Sequence, residues 1–297
     1  MPPAAPAAGV ADMGRIISDP TAMRGAVLAA EAAGRRVGFV PTMGALHAGH
    51  LALVARAAEA CDDVVVSIFV NPTQFGPGED FERYPRPLAA DLAALDGHGV
   101  RWVFVPSVRA IYPAGAATRV VVEGPAGGFE GAIRPGHFSG VATVVCRLFQ
   151  AVPAAAAFFG AKDWQQTLVV KRMVNDLGLP VEIVVCPTVR EPDGLALSSR
   201  NAYLSAANRE RATALFESLT AAEAMWAAAA DGAAIEATIK AQLEARGVAV
   251  DYAAVVDADT LGPVSRGRAA VALVAGRLGG TRLIDNRLLP PLSGPHG

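Results

Sequence analysis

Largely apolar runs, most of them rich in β-branched residues, alternate with helix-period segments from residue 20 to residue 186. The runs at 37–40, 64–70, 100–105, 118–122, 154–159 and 181–186 lack the in–out alternation of a half-exposed strand. Each therefore reads as a strand buried on both faces. The segments at 20–34, 50–60, 88–97, 141–151 and 164–177 read as helices between them. Gly34, Gly178 and Pro180 supply stop signals, and Pro41, which has no N–H to give a ladder, is expected to end the first run. Residues 37–70 have the length a βαβ unit needs. Strand–helix alternation of this kind predicts an α/β fold, a Rossmann-like parallel sheet over residues 1–188.

The pattern changes beyond residue 203. Alanine-rich helices at 206–230 and 233–245 precede apolar runs at 248–256 and 269–274 and the segment 281–286. A smaller α+β domain over 189–297 follows, with the boundary near residue 188. The Ala/Pro-rich residues 1–11 and the turn-rich residues 290–297 read as loose ends, and residues 1–11 lack the basic start and apolar core of a signal peptide.

Composition narrows the function classes. The chain has 297 residues, 52% hydrophobic and 18% charged, with a net charge of −2 and a sequence pI of about 6.2. That balance argues against a nucleic-acid partner, which calls for clustered excess Lys and Arg. No apolar run reaches membrane-spanning length, so no membrane partner is expected. Cys61, Cys146 and Cys186 show no metal spacing and read as small core residues in a reducing, cytoplasmic protein.

Chemistry concentrates where strands end. After the run at 37–40, a loop with Gly44 and Gly49 leads into a helix that begins near His50. Such junctions lie at the carboxyl ends of parallel strands, where ligands bind, and a helix start favours an anion. His47 and His50 lie three positions apart there and could both donate to phosphate oxygens; a metal pair or two surface histidines are the alternatives. The next strand ends in Asn71-Pro72-Thr73-Gln74-Phe75, whose neutral amides suit hydroxyls and carboxylates, or simply a turn. Asp91 is a lone helix carboxylate, as a site residue or as an exposed surface charge. Arg134 and His137 stand in a glycine-rich loop, as site residues or as surface charge and a packed histidine. Gly160-Ala161-Lys162-Asp163 begins another strand–helix junction; Lys162 could meet phosphate charge, Asp163 could be only an N-cap, and Gln166 lies one turn further on. Ser198, Ser199 and Arg200 together suit a triphosphate on a loop that closes, although the tripeptide alone is common on surfaces.

The stretch Pro41–His50 resembles the His-x-Gly-His signature of the nucleotidyltransferase superfamily, and the full decapeptide is similar to the opening motif of the pantothenate synthetase (pantoate–β-alanine ligase) family. The resemblance extends over residues 37–286, through Asn71–Phe75, Tyr84-Pro85-Arg86, Arg134–Gly140, Phe158–Gln166 and Leu197–Asn201. It implies ATP-dependent condensation of pantoate with β-alanine to pantothenate through a pantoyl adenylate, with magnesium, in a cytoplasmic homodimer. ATP would meet Met43, Gly44, Ala45, Leu46, His47, Ala48, Gly49 and His50; Gly160, Ala161, Lys162 and Asp163; and Val189, Leu197, Ser198, Ser199 and Arg200. His50, His47, Lys162, Ser198, Ser199 and Arg200 would be catalytic. Asn71, Gln74, Arg134 and Gln166 would hold pantoate and β-alanine, and Asp91 would help hold magnesium. Ala90, Ala161 and Leu197 depart from the family pattern, which favours acidic residues at the first two positions and methionine at the third. A single-step nucleotidylyltransferase and a nucleotide-binding regulator without turnover are the rival readings. The first would not need the Gln74/Gln166 pair, and loss of His47 or Arg200 would have favoured the second.

Overall fold

The computed structural model describes residues 15–265 and 267–292; residues 1–11 and most of 290–297, expected as loose ends, lie outside it. The order is β1 (Arg15–Ile17), α1 (Pro20–Ala32), β2 (Val37–Thr42), α2 (Ala48–Ala60), β3 (Asp63–Ile68), α3 (Leu88–Leu95), β4 (Val100–Phe104), α4 (Val108–Ile111), α5 (Phe129–Ile133), α6 (His137–Ala151), β5 (Ala156–Gly160), α7 (Trp164–Leu177) and β6 (Glu182–Cys186). Then come α8 (Ala206–Arg211), α9 (Ala214–Ala227), α10 (Gly232–Ala245), β7 (Ala249–Asp257), β8 (Ala270–Leu278) and β9 (Thr281–Leu289).

The first six strands form one sheet in the order β1-β4-β3-β2-β5-β6, parallel throughout. Neighbouring residues of a strand face opposite cores. Phe39 joins α1, α6 and α7 on one side, and Val40 joins α2 and Leu95 on the other. Phe39, Phe104 and Phe158 are fully enclosed, each worth about 1.5–3 kcal/mol of burial. This is the expected α/β domain. The smaller unit is antiparallel, in the order β7-β8-β9, with α9 and α10 packed on one face through Leu219, Ile235, Ile239 and Leu243. No helix among the described residues is long and apolar enough to cross a membrane.

Three local expectations change. Pro41 does not end β2, which runs on to Thr42. The Thr42 carbonyl accepts from Phe69 N, so Pro41 faces the β5 side, where the ladder has already ended at Phe39–Ala157 and no N–H is needed. The run at 118–122 forms no strand. Its Val120 backbone bonds the hydroxyls of Thr143 and Ser139 on α6 in place of a neighbouring strand. The helix expected at 206–230 is two helices, α8 and α9, and the short edge strand β1 was not expected.

Candidate active site

The chain turns one way from β2 to β3 and β4, and lies on the other side in β5 and β6. The carboxyl ends of β2 and β5 therefore flank the switch point of the sheet, the usual ligand crevice of such folds. Leaving β2, the backbone becomes left-handed at Gly44 (φ +82) and Ala45 (φ +51). Asp91 on α3 holds this turn: its carboxylate accepts Ala45 N at 3.0 Å and Leu46 N at 2.7 Å. A Cβ on Gly44 would meet Asp91 Oδ2 at 2.8 Å, so the turn requires glycine.

That turn delivers His47 as the N-cap of α2. His47 Nδ1 accepts from Gly49 N at 3.2 Å, and His50 Nδ1 accepts from His47 N at 3.3 Å. Two amides at the helix start are thus already occupied by imidazoles. Because a neutral imidazole accepts at one nitrogen and donates at the other, both rings carry the proton on Nε2. Burial and then the charge of Lys162 push the His47 pKa down; burial, then His47, bring His50 down to about 3. The pair, with ring centroids 4.1 Å apart, presents two neutral N–H donors.

β3 delivers the second wall. Asn71 is 1% exposed. Its amide donates to Gln74 Oε1 at 3.0 Å and to the Gly140 carbonyl at 3.2 Å, while its Oδ1 accepts from the Thr73 backbone and hydroxyl and from Tyr112. Gln74 donates to Met43 Sδ at 3.2 Å, which leaves one amide hydrogen for the cavity. His137 Nδ1 donates to the Gln74 carbonyl at 2.8 Å, and its Nε2 accepts from Arg134 Nη1 at 3.1 Å. Burial, then Arg134, hold the His137 pKa down to about 4, so this histidine is a neutral packing group. Arg134 spends its other two nitrogens on Glu79, at 2.8 and 2.6 Å.

β5 supplies Gly160, Ala161, Lys162 and Asp163. Asp163 stands at the N-cap of α7 but makes no side-chain capping bond. Gln165 is buried and pins the 125–130 loop through Pro125 O, Gly127 O and Glu130 N. Gln166, one residue on, lines the cavity instead. The 189–200 loop closes the far side. Tyr84, 5% exposed, sets its hydroxyl 3.4 Å from Ser199 Oγ. Arg200 donates to Asp80 from Nε and Nη2, both at 2.9 Å, leaving Nη1 uncommitted. Burial opposes the charge of Arg200, but the Asp80 carboxylate outweighs it and holds the guanidinium pKa above its usual value.

These pieces enclose a cavity of about 240 Å³ lined by Met43, His47, Gly49, His50, Asn71, Gln74, Arg134, Gly160, Lys162, Asp163, Gln166, Val189, Leu197, Ser198, Ser199 and Arg200 among others. Its wall combines apolar side chains and the amides of Asn71, Gln74 and Gln166 with Lys162, Ser198, Ser199, Arg200 and the imidazole N–H donors. Residues 15–288 match the family model described as pantoate-beta-alanine ligase. The chain belongs to that family. A pantothenate synthetase from Thermus thermophilus is 56% identical over 256 residues, 84% of this chain and 92% of that protein. A crystal structure of pantothenate synthetase from the same organism superposes with a TM-score of 0.88 at 51% identity, covering 93% of this chain and 100% of that one. A ligase from Francisella tularensis, complexed with beta-gamma ATP and beta-alanine, superposes with a TM-score of 0.78 at 34% identity, covering 93% and 97%.

Within the pantoate–β-alanine ligase family, then, most of the expected site residues line one cavity. Asp91 does not. It is 2% exposed, neither the surface carboxylate nor a cavity-lining ligand, and both its oxygens face the backbone of the Gly44–Leu46 turn. Gly44, Ala45, Leu46, Ala48 and Ala161 are likewise absent from the cavity wall; they shape the turns that carry the others. Four residues behind the cavity wall were not expected: Glu79 and Asp80, which hold Arg134 and Arg200, and Asp285 and Asn286 on β9. No spacing signal marks the first two, since acidic residues in a Gly/Pro loop look like solvated charge.

Proposed function

We propose that this cavity carries out the family's ATP-dependent ligation of pantoate to β-alanine in two steps through a pantoyl adenylate. The supporting observation is its mixed lining: the amides of Gln74 and Gln166 share one cavity with Lys162, Ser198, Ser199, Arg200 and the neutral N–H donors of His47 and His50. A carboxylate cannot expel oxide, so it must first gain a better leaving group. The pantoate carboxylate oxygen attacks the α-phosphorus of ATP, and the bond to pyrophosphate breaks. The β-alanine amine then attacks the acyl carbon, loses a proton and expels AMP.

Neutral N–H donors at His47 and His50 stabilise the charge that builds on the α-phosphoryl oxygens. Lys162, Ser198, Ser199 and the free Nη1 of Arg200 meet the leaving pyrophosphate. His50 is neutral in this structure, and we read its contribution as a hydrogen bond to the phosphate rather than proton release. Gln74 and Gln166 orient the acid and its hydroxyls without neutralising the attacking carboxylate. Asn71 and Arg134 act one step back: Asn71 fixes the Gln74 amide, and Arg134 fixes His137 and Glu79.

Magnesium bound to ATP keeps several waters and needs few protein ligands. Among the described residues Asp163 is the one carboxylate lining the cavity, and no cluster of three metal-ligating acids, histidines or cysteines occurs. The residues fit an ion held chiefly by phosphate oxygens, with Asp163 in reach; the ion would offset triphosphate charge. We place the domain boundary near residue 188 and read residues 189–297 as a lid carrying the Ser198–Arg200 loop. The unpaired Cys61, Cys146 and Cys186 support a cytoplasmic location, and the family resemblance supports a homodimer.

The test is exchange of labelled pyrophosphate into ATP with pantoate present and β-alanine absent. Pantoate-dependent exchange is expected. Pantothenate formation without any such exchange would refute the adenylate.

A further inference from the structure

The segment 281–286 has no direct part in the ligation chemistry. It forms the start of β9, and two of its residues reach across to the site. The Asn286 side chain is 7% exposed. Its amide nitrogen donates to the carbonyls of both Ala161 and Lys162, at 2.9 and 2.8 Å. Those two donors are all that an amide nitrogen has, so the turn carrying Lys162 hangs from β9. Its neighbour Asp285 is 3% exposed and accepts both ends of the Arg190 guanidinium, at 2.6 and 3.0 Å. Arg190 also donates to Gly194 O at 3.0 Å and bridges to Ala196. It thereby fixes the base of the loop that ends in Ser198, Ser199 and Arg200.

One dipeptide therefore holds two separate elements of the cavity wall, the turn carrying Lys162 and the loop carrying Ser198–Arg200. Asp285 and Asn286 are also locked to each other, because Asp285 Oδ1 accepts Asn286 N at 2.8 Å. A β-strand is stiff on the scale of a side chain, so the span from Lys162 to Ser198–Arg200 is set by β9 rather than by either loop. We infer that Asn286 and Asp285 are positioning residues for the adenylating step, Asn286 acting through Lys162 and Asp285 through Arg190 and the serine–arginine loop. This rests on reading Lys162 and Ser198–Arg200 as the groups that receive the triphosphate.

The test is a double-mutant cycle on pyrophosphate exchange, with circular dichroism confirming the fold of each variant. Asn286→Ala is expected to raise the ATP KM and lower exchange by about tenfold, since displacing a charge-stabilising group by a fraction of an ångström is costly, while the pantoate KM stays within about twofold. In a Lys162→Ala background the same change should cost less than about twofold. Asp285→Asn, which keeps the side-chain shape but weakens the hold on Arg190, should retain most of its effect in that background. If Asn286→Ala prevents folding, Asn286→Asp, of nearly the same size but opposing one acceptor to the two carbonyls, takes its place. An Asn286 effect of equal size with and without Lys162 would overturn the inference. So would parallel losses in ATP and pantoate parameters, the pattern of a merely structural residue. Wild-type protein without pantoate-dependent exchange would overturn the ligation reading itself; wild-type exchange with unaltered Asn286 variants would overturn only the positioning role.

Discussion

Replacing Asp91 by asparagine separates two roles for the same carboxylate. In the structure Asp91 is enclosed, and each oxygen accepts one backbone N–H from the Ala45–Leu46 turn. Asparagine has the same shape, but its NH2 must face one of those two donors. The loss is one charge-assisted hydrogen bond, about 1.5–3 kcal/mol, and the opposed N–H groups add to it. For a chain of this size each kcal/mol moves the unfolding midpoint by about 2–4 °C. A fall of roughly 3–12 °C is therefore expected, read by thermal unfolding followed with circular dichroism. Activity should fall as well, because Ala45 at φ +51 relaxes once its anchor is gone and His47 is no longer aimed. The magnesium concentration giving half-maximal rate should not move. An unchanged midpoint together with a magnesium titration shifted upward would refute this account and return Asp91 to the metal.

Three further outcomes follow from the geometry. His50→Ala should lower pantoate-dependent exchange by about 10²–10³-fold with the circular dichroism spectrum intact; wild-type exchange in that folded variant would remove His50 from the mechanism. Gly140→Ala should raise the pantoate KM more than the ATP KM, since a Cβ there would collide with the Thr73 carbonyl and push the turn carrying Gln74; equal changes in the two KM values would argue against it. Stability should fall with acid in a defined window. Folded His50 and His137 stay neutral down to about 3 and about 4, against an ordinary 6.5, so below 6.5 the unfolded chain binds more protons. At pH 5 each contributes about 2 kcal/mol of lost stability, and His137→Asn should flatten that part of a urea-unfolding pH profile.

Much of the site was legible because its chemistry is local. Pro41–His50 holds strand, turn, N-cap and both imidazoles within one stretch, and the spacing of His47 and His50 alone closes the reciprocal capping bonds that fix their tautomers. Alternating buried runs and helical periods likewise determined a parallel sheet, since a strand buried on both faces must be apolar along its whole length. The run at 118–122 shows where that logic ends. β-Branched residues favour extended backbone, but a strand also needs a partner, and α6 offers hydroxyls instead.

What the tertiary structure alone decided is which polar groups remain free. Residue type made Asn71 and Arg134 as eligible as Gln166 to hold a substrate. Only the fold shows that Asn71 and Arg134 spend their donors on protein, whereas Gln166 keeps its amide for the cavity. Asp91 points inward because α3 crosses beneath the Gly44 turn, and Asn286 meets Lys162 although they lie 124 positions apart. Such pairings depend on how separate elements pack. Hydrogen-bond satisfaction is settled by neighbours in space, and the order of residues along the chain names those neighbours only within a turn or a strand.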